Sequence, residues 1–486
     1  MSSTASSNPE MSSSFQEKSE LFSKLDFLRW LDNESPCFPV DGDKVTVLKT
    51  PEEFYQTLIS KTEKSTKRIV FASLYLGTGS LEKKLVDSVE KNLKEKSDEE
   101  KPRVQILLDA TRGSRGSQNS RKMLLNLLQN FSENVSVHMY HTPALRGLMK
   151  TLIPERYNET IGLQHMKIYL FDNSLLISGA NLSNDYFTNR QDRYVLIEDC
   201  GRLADFYDKL VNAVCDFSLK LNAEDQLRLS SSSSLHPYES DRKIFATDAR
   251  DKVASVMNTF KTEEKKFEYS SPKDRDTWVF PLIQMGQLGI TMDSSCTSKI
   301  LGSIPKNAEL SLASGYFNLT QEYMDSILHS TEASTHILMA HPTANGFLGA
   351  PGFAGAIPSA YTHIAATFFH QVRQSGQSAR IRLWEYQRNL WTFHAKGLWI
   401  SFQGSDTKPF FTLVGSPNFG YRSVYRDLET QIAVVTVNPR LREQLREERE
   451  NLFGNSEIVS LSTYALPQRQ VPLWVRLVIR VIKHFF

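Results

Sequence analysis

Residues 164–181 read QHMKIYLFDNSLLISGAN, and the opening of this segment recurs with His394 and Lys396. In the first copy, His165 and Lys167 stand two residues apart at the head of an apolar run of strand length. Successive side chains of a strand point to opposite faces, so residues two apart project from the same face. The pattern therefore predicts, in each half of the chain, a strand that presents a histidine and a lysine together.

Residues that follow the two His-x-Lys pairs also recur. Asn181 follows the first pair and Asn418 the second, and an acidic residue, Asp192 or Glu429, stands 11 positions after each asparagine. Asp172 completes an HxKx4D motif in the first copy, and we group it with the candidate catalytic residues. A single His-x-Lys on a strand is usually a coincidence, but two copies with matched asparagines and acids indicate a duplicated functional unit.

The duplication extends outward to the neighbouring strands. Ala72-Ser-Leu-Tyr75 is echoed by Ala313-Ser-Gly-Tyr316, in each case after an apolar run and before a helical pattern. Strands that alternate with helices are typical of α/β folds. We therefore predict an α/β protein of two pseudo-repeated halves, each a mixed β-sheet flanked by helices, with an active site between them.

Local composition divides the chain into segments. A Ser-rich start predicts a disordered tail, and a Ser- and charge-rich stretch after the first half predicts a connection that contains some helix. The predicted segments are an N-terminal tail (1–37), a first half (38–228), a connection (229–275), a second half (276–460) and a basic amphipathic membrane-contact segment (461–486).

Charge and cysteine content exclude several protein classes. The 486 residues carry 57 Lys+Arg against 55 Asp+Glu, whereas nucleic-acid binders usually have a strongly basic surface. The four cysteines are scattered and form no CxxC pair, so neither a disulfide scaffold nor a zinc site is expected. No run reaches the ~18 apolar residues of a membrane span. A soluble or peripherally attached enzyme without a nucleic-acid partner fits best.

The residue types of the paired motifs suit chemistry at an anionic phosphorus centre. A lysine supplies a point charge for phosphate oxygens, and a histidine supplies a nucleophile or proton carrier near neutral pH. Asp192 and Glu429 can accept the other imidazole N–H and fix the tautomer of each ring. Because two lysines supply the positive charge, we expect neither a metal nor another cofactor.

These motifs, HMKIYLFD…SGAN and HAKGLWIS…GSPN, resemble those of the phospholipase D superfamily. More narrowly, FPVDGDKVTVLKTPEEF, ASLYLGTGSLE, HTPALRGLMKTLIPERYNETIGLQH and ANLSNDYFTNRQDRY resemble the phosphatidylglycerophosphate synthase family of eukaryotic mitochondria. The resemblance runs from about Phe38 to the end of the second motif region. Ser401 is a departure, because it stands where the second motif would carry Asp.

The resemblance implies transfer of a phosphatidyl group from CDP-diacylglycerol to glycerol 3-phosphate with release of CMP, the committed step towards phosphatidylglycerol and cardiolipin. It implies a phosphatidyl-histidine intermediate, for which we assign His165 as the nucleophile and His394 as the general acid and base; the pseudo-symmetry leaves the reverse order as the alternative. The residues expected to stabilise charge on the transition-state oxygens are Lys167, Lys396, Asn181 and Asn418.

The resemblance also implies a peripheral protein of the mitochondrial inner membrane. The first 24 residues contain acids and no arginine, which is a poor match to a mitochondrial presequence. One alternative function is a phospholipase D-type phosphodiesterase that hydrolyses phospholipid or nucleic acid. Another is an inactive scaffold that binds anionic lipid, which the two intact His-x-Lys pairs argue against.

Further binding residues are weaker candidates. Arg112, Arg115 and Arg121 follow a strand end, where α/β sheets usually bind ligands, although a solvated loop fits equally well. Ser416, beside the second asparagine, is another candidate for substrate binding. The remaining charged candidates near the motifs are Asp185, Arg190, Arg193 and Arg422.

A glycine-containing turn after the first predicted strand has two interpretations. Gly77, Thr78 and Gly79 follow Ala72 and precede a helix, whose N-terminal N–H groups could hold a nucleotide phosphate. The turn lacks the GK[ST] ending of a P-loop, and a plain helix cap is the favoured interpretation.

Two segments predict contact with an anionic membrane surface. The C-terminal LWVRLVIRVIKHFF places Arg476, Arg480 and Lys483 on one helical stripe with apolar residues around the remainder. Such a helix suits the membrane interface, and docking on the protein core is the alternative. Residues 142–163 have no equivalent in the second half and either cover lipid tails or cap the sheet.

Overall fold

The computed structural model describes residues 25–230, 234–267, 276–350 and 355–482. Within these ranges, no helix combines the length and apolar character needed to cross a bilayer. Short apolar segments form strands, and amphipathic segments form the helices between them, as the hydrophobic periodicity predicts.

The strands fall into two large sheets and one small two-stranded pairing. In chain order they are β1 (Phe38–Val40), β2 (Val45–Leu48), β3 (Arg68–Ala72), β4 (Arg103–Asp109), β5 (Val135–Tyr140), β6 (Ile168–Phe171), β7 (Ser174–Ser178), β8 (Arg190–Gln191), β9 (Tyr194–Ile197), β10 (Leu219–Leu221), β11 (Leu227–Leu229), β12 (Thr277–Met285), β13 (Ala308–Ser314), β14 (Ser334–Ala340), β15 (Ile381–Tyr386), β16 (Thr392–Phe393), β17 (Lys396–Phe402), β18 (Phe411–Gly415), β19 (Leu428–Thr436) and β20 (Ser456–Ile458).

The helices connect and cover these strands. They are α1 (Leu31–Glu34), α2 (Pro51–Lys64), α3 (Ser80–Lys94), α4 (Ala110–Gly113), α5 (Ser120–Asn130), α6 (Gly147–Leu152), α7 (Glu155–Asn158), α8 (Asn184–Thr188), α9 (Gly201–Asp216), α10 (Arg242–Glu264), α11 (Met292–Ser303), α12 (Gln321–Asp325), α13 (Ile357–Gln374), α14 (Tyr421–Tyr425), α15 (Pro439–Phe453), α16 (Leu461–Ala465) and α17 (Leu473–Ile482).

The strand order of the two sheets confirms the predicted duplication. The first sheet runs β2-β9-β7-β6-β3-β4-β5-β10-β11, and the second runs β1-β12-β19-β18-β17-β13-β14-β15-β20. In both, three parallel strands (β3-β4-β5 and β13-β14-β15) adjoin an antiparallel group, so each sheet is mixed. The sheets match strand for strand from β2 and β12 onward.

Three large apolar clusters hold the layers together. One contains side chains from both sheets together with the buried faces of α9, α10 and α15. The other two each lie within one half, against the outer helices of that sheet. Burial on both faces of the central strands explains why their sequences are nearly continuous apolar runs.

The described residues begin before the predicted boundary of the tail. Leu25, Leu28 and Leu31 are buried against the second half, so only residues 1–24 of the predicted tail (1–37) lie outside the described part. β1 also crosses over, because Phe38 pairs with Val279 in the second sheet. The segment assigned to the first half therefore starts by completing the other sheet.

The predicted connection is largely the helix α10. Its buried side chains Phe245, Ala249, Val253 and Phe260 belong to the cluster shared by both halves. Because these side chains pack against α9 and both sheets, this segment is part of the core as well as a link.

The C-terminal helix α17 is docked along one edge and exposed along another. Val475 and Ile479 are buried against Ala360 of α13, whereas Leu473 and Leu477 are 75% and 63% exposed. Lys483, which the sequence places on the basic stripe, lies outside the described residues. The buried edge of α17 fits docking on the protein core, and the exposed edge leaves apolar residues for the proposed membrane contact.

Candidate active site

The two His-x-Lys segments meet because each is bonded to the backbone of the other half. The N–H of His165 donates to the carbonyl of Leu428 at 2.9 Å, and the N–H of His394 donates to the carbonyl of Gln191 at 2.8 Å. Parallel pairing of β8 with β16 lies beside the second of these bonds. Each half thus donates one backbone hydrogen bond to the other half, from the histidine of its His-x-Lys segment.

Each histidine is oriented by a carboxylate from the opposite half. The Nδ1 of His165 lies 2.9 Å from Oε1 of Glu429, and the Nδ1 of His394 lies 2.6 Å from Oδ2 of Asp192. Carboxylates at this distance fix the ring and its tautomer, which directs Nε2 away from the pair. The acids at equal spacing after the asparagines are therefore exchanged between the halves.

The two Nε2 atoms have different surroundings. The Nε2 of His394 lies 3.3 Å from the hydroxyl of Tyr186, whose ring also meets the imidazole edge-on. The Nε2 of His165 has no hydrogen-bond partner among the described residues, whereas the Nδ1 of the same ring is bonded to Glu429. The otherwise symmetric pair is therefore asymmetric at its reactive atoms.

Lysines and asparagines complete the centre. The Nζ of Lys167 donates to the carbonyl of His165 at 2.6 Å, and the Nζ of Lys396 lies 2.6 Å from Nδ1 of His394. The Oδ1 atoms of Asn181 and Asn418 are buried without a partner in the described structure. The asparagines therefore have unused hydrogen-bonding capacity at the site.

Burial shifts the pKa of every ionisable group in this centre. Burial, followed by the charge of Lys167, holds the pKa of His165 well below its usual value, and burial followed by Lys396 does the same for His394. Both imidazoles are therefore neutral near pH 7 in the free protein. Burial also lowers the pKa of Lys396 to about 8 and raises that of Asp192 to about 6.

A cleft of about 880 Å³, open to solvent, lies over these groups. Its polar lining includes His165, His394, both motif asparagines, Arg190 and Arg422. Its aromatic lining is Tyr75, Tyr186, Tyr316, Phe347 and Tyr361. Cationic, amide and aromatic groups around two neutral imidazoles suit an anionic substrate with a large organic part.

Two arginine–aspartate pairs at the cleft occupy equivalent positions with the order reversed. Asp185 pairs with Arg190 at 3.3 Å in the first half, and Arg422 pairs with Asp427 at 3.1 Å in the second. In each half, the first member of the pair stands four positions and the second nine positions after the motif asparagine. Sequence reasoning missed Asp427 and the aromatic wall, although this reversed spacing was a readable signal for the aspartate.

His165, Asp427 and Glu429 bring their ligand atoms within 4.8 Å of one another, as a metal site would. Both carboxylates already have protein donors: Asp427 accepts from Leu163 N–H at 3.0 Å and from Arg422, and Glu429 accepts from His165. Burial raises the pKa of both acids. The cluster is therefore accounted for as a network that orients His165.

Asp172 does not lie at the cleft, which corrects its grouping with the catalytic residues. It occupies the turn between β6 and β7 with φ 53°, and its carboxylate accepts the N–H groups of Thr66, Lys67 and Arg68 at 2.7–3.1 Å. Its place is at the far end of the strand from Lys167. The last residue of the HxKx4D motif thus anchors a turn.

Two weaker substrate-binding candidates are also corrected. Ser416 is fully buried, and its hydroxyl donates to the carbonyl and accepts from the N–H of Thr430, so it supports the strand beside Glu429. Arg121 is paired with Asp225 at 2.7 Å, away from the cleft. Neither side chain is available to a ligand in the cleft.

Arg112 and Arg115 lie at the rim of the cleft. The guanidinium of Arg112 stacks 4.1 Å from the ring centroid of Tyr75, and both arginines contact Glu159, which lines the cleft. Their charge is therefore partly neutralised, and they remain candidates for the outer part of a substrate.

The interpretation of Gly77–Gly79 as a nucleotide site is corrected by Glu82. A Cβ added to Gly77 would lie 2.2 Å from Oε1 of Glu82, and this carboxylate also accepts the N–H of Asn184 at 2.6 Å. The protein's own anion therefore occupies the N-terminus of α3, where a phosphate would bind. Ala72 is fully buried in β3, and Thr78 is an exposed residue of the turn between these glycines.

Arg193 clamps the halves together away from the cleft. Its buried guanidinium donates to both carboxylate oxygens of Glu448 at 2.8–2.9 Å and to the carbonyl of Leu413, and it stacks 3.8 Å from the ring of Trp399. All three partners come from the second half. The arginine is therefore structural.

Comparison with known proteins gives the family. No protein-family model matches the chain. The human protein named "CDP-diacylglycerol--glycerol-3-phosphate 3-phosphatidyltransferase, mitochondrial" is 49% identical over 94% of this chain and 86% of its own length. The Dictyostelium discoideum protein named as a probable enzyme of this kind is 37% identical (98% and 83% covered), and that of Saccharomyces pastorianus is 33% identical (93% and 89% covered).

A solved structure shares the fold. The crystal structure of phosphatidylserine synthase from Haemophilus influenzae Rd KW20 superposes with a TM-score of 0.69 at 18% identity, covering 94% of this chain and 96% of that one. At this identity the match establishes the two-sheet architecture. With relatives of 33–49% identity along nearly the whole sequence, the chain belongs to the family of CDP-diacylglycerol–glycerol-3-phosphate 3-phosphatidyltransferases, whose paired motifs place it in the phospholipase D superfamily.

Proposed function

We propose that the protein transfers the phosphatidyl group of CDP-diacylglycerol to glycerol 3-phosphate through a phosphatidyl-histidine, releasing CMP. The observation that carries the mechanism is the pair of buried imidazoles, each held by a carboxylate of the opposite half, facing one cleft. Two such groups allow one nucleophile and one proton carrier to act on opposite sides of a phosphorus atom.

In the first half-reaction, Nε2 of His165 attacks the phosphorus that bears diacylglycerol. The new bond is P–Nε2, and the bond that breaks joins this phosphorus to the bridging oxygen of CMP. The lowered pKa of His165 keeps the nucleophile unprotonated. Because its Nε2 has no partner among the described residues while that of His394 contacts Tyr186, the asymmetry supports His165 in this role.

His394 supplies the proton that CMP needs to leave. A bound diphosphate carries negative charge, which favours the protonated imidazole and so opposes the effect of burial on the pKa of His394. In the second half-reaction, His394 accepts the proton of the glycerol 3-phosphate hydroxyl, whose oxygen bonds to phosphorus as the P–Nε2 bond breaks. Asp192 holds the imidazole and stabilises its charged form.

Lys167, Lys396, Asn181 and Asn418 surround the position of the transferred group. Lys167, Lys396 and Asn181 are buried and Asn418 is half-buried, so their N–H groups are held near the position where charge develops on the equatorial oxygens. This arrangement supplies the electrostatic stabilisation of the transition state from the protein's own residues.

We also propose that the protein acts at the surface of a mitochondrial membrane, namely the inner membrane. Relatives that cover most of this chain are named mitochondrial. The exposed apolar residues Leu473, Trp474 and Leu477 on α17, and Leu148 and Leu152 on α6, provide surfaces for an anionic lipid interface. The lipid substrate makes this location useful, because its acyl chains remain in the bilayer.

The reaction is tested by supplying purified protein with CDP-diacylglycerol, with and without glycerol 3-phosphate. We expect CMP release to depend on the acceptor and to match the amount of phosphatidylglycerophosphate formed. CMP release at the same rate without acceptor, with phosphatidic acid as the lipid product, would identify a hydrolase instead.

The nucleophile is tested by acid-quenching the enzyme with radiolabelled CDP-diacylglycerol in the absence of acceptor. We expect label on the peptide that contains His165, and none after His165→Ala substitution. Label on the His394 peptide alone would reverse the two roles.

A further inference from the structure

We propose that Arg190 binds the phosphate of glycerol 3-phosphate and so selects a phosphorylated acceptor over water or a plain alcohol. This assignment rests on the proposed function and names the residue that distinguishes the second substrate. It follows from where Arg190 lies, which charges face it, and the side from which the acceptor must approach.

Arg190 stands at the junction of the two halves, on the His394 side of the cleft. Arg190 begins β8 and stands two residues before Asp192, and Thr392 begins β16 and stands two residues before His394. The Nε of Arg190 donates at 3.0 Å to the hydroxyl of Thr392. Its guanidinium carbon lies 4.8 Å from the ring centroid of Tyr186, the residue whose hydroxyl meets His394. One aromatic ring therefore separates the guanidinium from the proposed acid and base.

The charge of Arg190 is only weakly neutralised. Its side chain is 15% exposed, while its partner Asp185 is 58% exposed and 3.3 Å away. Solvent screens such a pair. A guanidinium has five N–H donors, and the contacts with Thr392, Asp185 and Tyr186 use three of them, which leaves donors for an anion in the cleft.

The equivalent cation of the other half is in the opposite situation. Arg422 pairs at 3.1 Å with Asp427, whose side chain is only 3% exposed, and this pair lies beside His165. A buried carboxylate offsets the charge of Arg422 far more than the exposed Asp185 offsets that of Arg190. Of the two cleft arginines, Arg190 is thus the better receptor for a second anion.

The direction of attack places the acceptor on the side of Arg190. In phosphoryl transfer the entering and leaving groups lie roughly in line through phosphorus. An acceptor that displaces His165 from the phosphatidyl group must therefore enter from the side of His394, the side vacated by CMP. Its hydroxyl then contacts His394, and its phosphate, three carbons away, extends towards the cleft wall that holds Arg190.

The shape of this wall also suits a phosphate on a short chain. Tyr186, Tyr316 and Phe347 surround the position, and a Cβ on Gly346 would lie 2.9 Å from Nη2 of Arg190, so the glycine leaves room for the guanidinium. Aromatic walls lower the local dielectric, which strengthens an arginine–phosphate bond. Water and glycerol carry no group that could use it.

The experiment measures transfer to glycerol 3-phosphate and to glycerol by the same enzyme with CDP-diacylglycerol in mixed micelles. The quantity compared is the ratio of kcat/KM for the two acceptors. For Arg190→Met we expect this ratio to fall between about 10- and 100-fold, the loss of one charge-assisted contact. Arg190→Lys, which keeps the charge without the fork, should reduce the ratio less.

Arg388→Met is the matched control. Arg388 is an exposed arginine that stacks on Trp391 just before β16, the strand that pairs with Arg190. We expect it to leave the ratio unchanged. The circular dichroism spectrum and urea midpoint of each variant report that the protein is folded.

An unchanged ratio in Arg190→Met would overturn the assignment, and so would a fall in Arg422→Met but not in Arg190→Met. An equal loss with both acceptors would also overturn it, because Arg190 would then act on CMP or on the transferred group. Failure of the proposed function is distinguishable, since the parent protein itself would then form no phosphatidylglycerophosphate.

Discussion

At the scale of single residues, the centre depends on exchanged partners. Glu429 and Asp192 each hold a histidine that lies in the other half of the chain, at 2.9 and 2.6 Å. Since burial alone disfavours a charged imidazole, the proposed mechanism needs the nearby carboxylate to stabilise a proton on His394 during transfer. Loss of that carboxylate should therefore affect the reaction much more than the fold.

Asp192→Asn tests this role. We expect kcat to fall by about 10²- to 10⁴-fold, because the amide neither fixes the tautomer of His394 nor stabilises its positive charge. Initial rates of CMP release with saturating substrates give the value. Asp172→Asn is the control, because its carboxylate bonds only to a turn: its rate per folded molecule should equal that of the parent, and an equal loss in both variants would contradict the role.

The pH dependence should show the titration of Lys396. Burial lowers its pKa to about 8, so its charge is present below pH 8 and is lost as the pH rises through that value. We expect kcat/KM, which reports the free enzyme, to fall above pH 8. Lys396→Arg should move this fall to higher pH, because a guanidinium stays charged; a fall at an unchanged pH would assign it to another group.

Sequence spacing predicted the residues of the centre but not all of their roles. The His, Lys, Asn and acid spacings are local and repeated, so they could be read directly. Asp172 and Glu82 were misjudged or missed because their partners, Thr66–Arg68 and Asn184, are distant in sequence. Nothing in a linear motif distinguishes a carboxylate that binds backbone N–H groups from one that serves a catalytic ring.

At the scale of elements, α17 has more apolar surface than docking requires. Val475 and Ile479 pack against α13, and Leu473, Trp474 and Leu477 remain at the surface. The sequence predicted an amphipathic helix here, but it offered docking and membrane contact as alternatives. A helix with apolar residues on two edges satisfies both, which a single hydrophobic stripe would not.

The exposed edge of α17 is tested by the triple substitution of Leu473, Trp474 and Leu477 by serine. We expect binding to vesicles of phosphatidylcholine and phosphatidylglycerol to weaken by at least about 100-fold, because each apolar side chain contributes about 1 kcal/mol or more when buried. Flotation assays measure this. Leu390→Ser, an exposed leucine elsewhere, is the control; equal flotation of the triple variant and the parent would refute membrane contact by this edge.

At the scale of the whole molecule, the halves share one interface that contains both a part of the core and the candidate active site. The duplication, the mixed sheets and the position of the site between them could be predicted, because each rests on a repeated pattern. The crossing of β1 and the packing of α10 could not, because Phe38–Val40 is too short to carry a pairing signal and α10 resembles a polar linker in composition. Long-range partners of short or charged segments are decided by three-dimensional packing.

Arg193 tests how strongly the halves depend on each other. Arg193→Met leaves the buried Glu448 with the indole N–H of Trp399 but without a charged partner, and we expect a loss of about 3–5 kcal/mol in the free energy of unfolding. Urea unfolding followed by circular dichroism measures it. Arg446→Met, which removes the solvent-screened ion pairs of Arg446 with Glu443 and Glu450, is the control and should change the midpoint little. An unchanged midpoint for Arg193→Met would mean that the clamp is dispensable.

The crossing of β1 has a consequence for biosynthesis. During translation the segment Phe38–Val40 emerges long before its pairing partner Thr277–Val279, so its edge of the second sheet cannot form while only the first half has been made. Contacts of such large sequence separation form late and slowly. The segment Phe38–Val40 therefore stays unpaired with β12 until the second half is made. β1, the first strand in the described part of the chain to be synthesised, is among the last to pair.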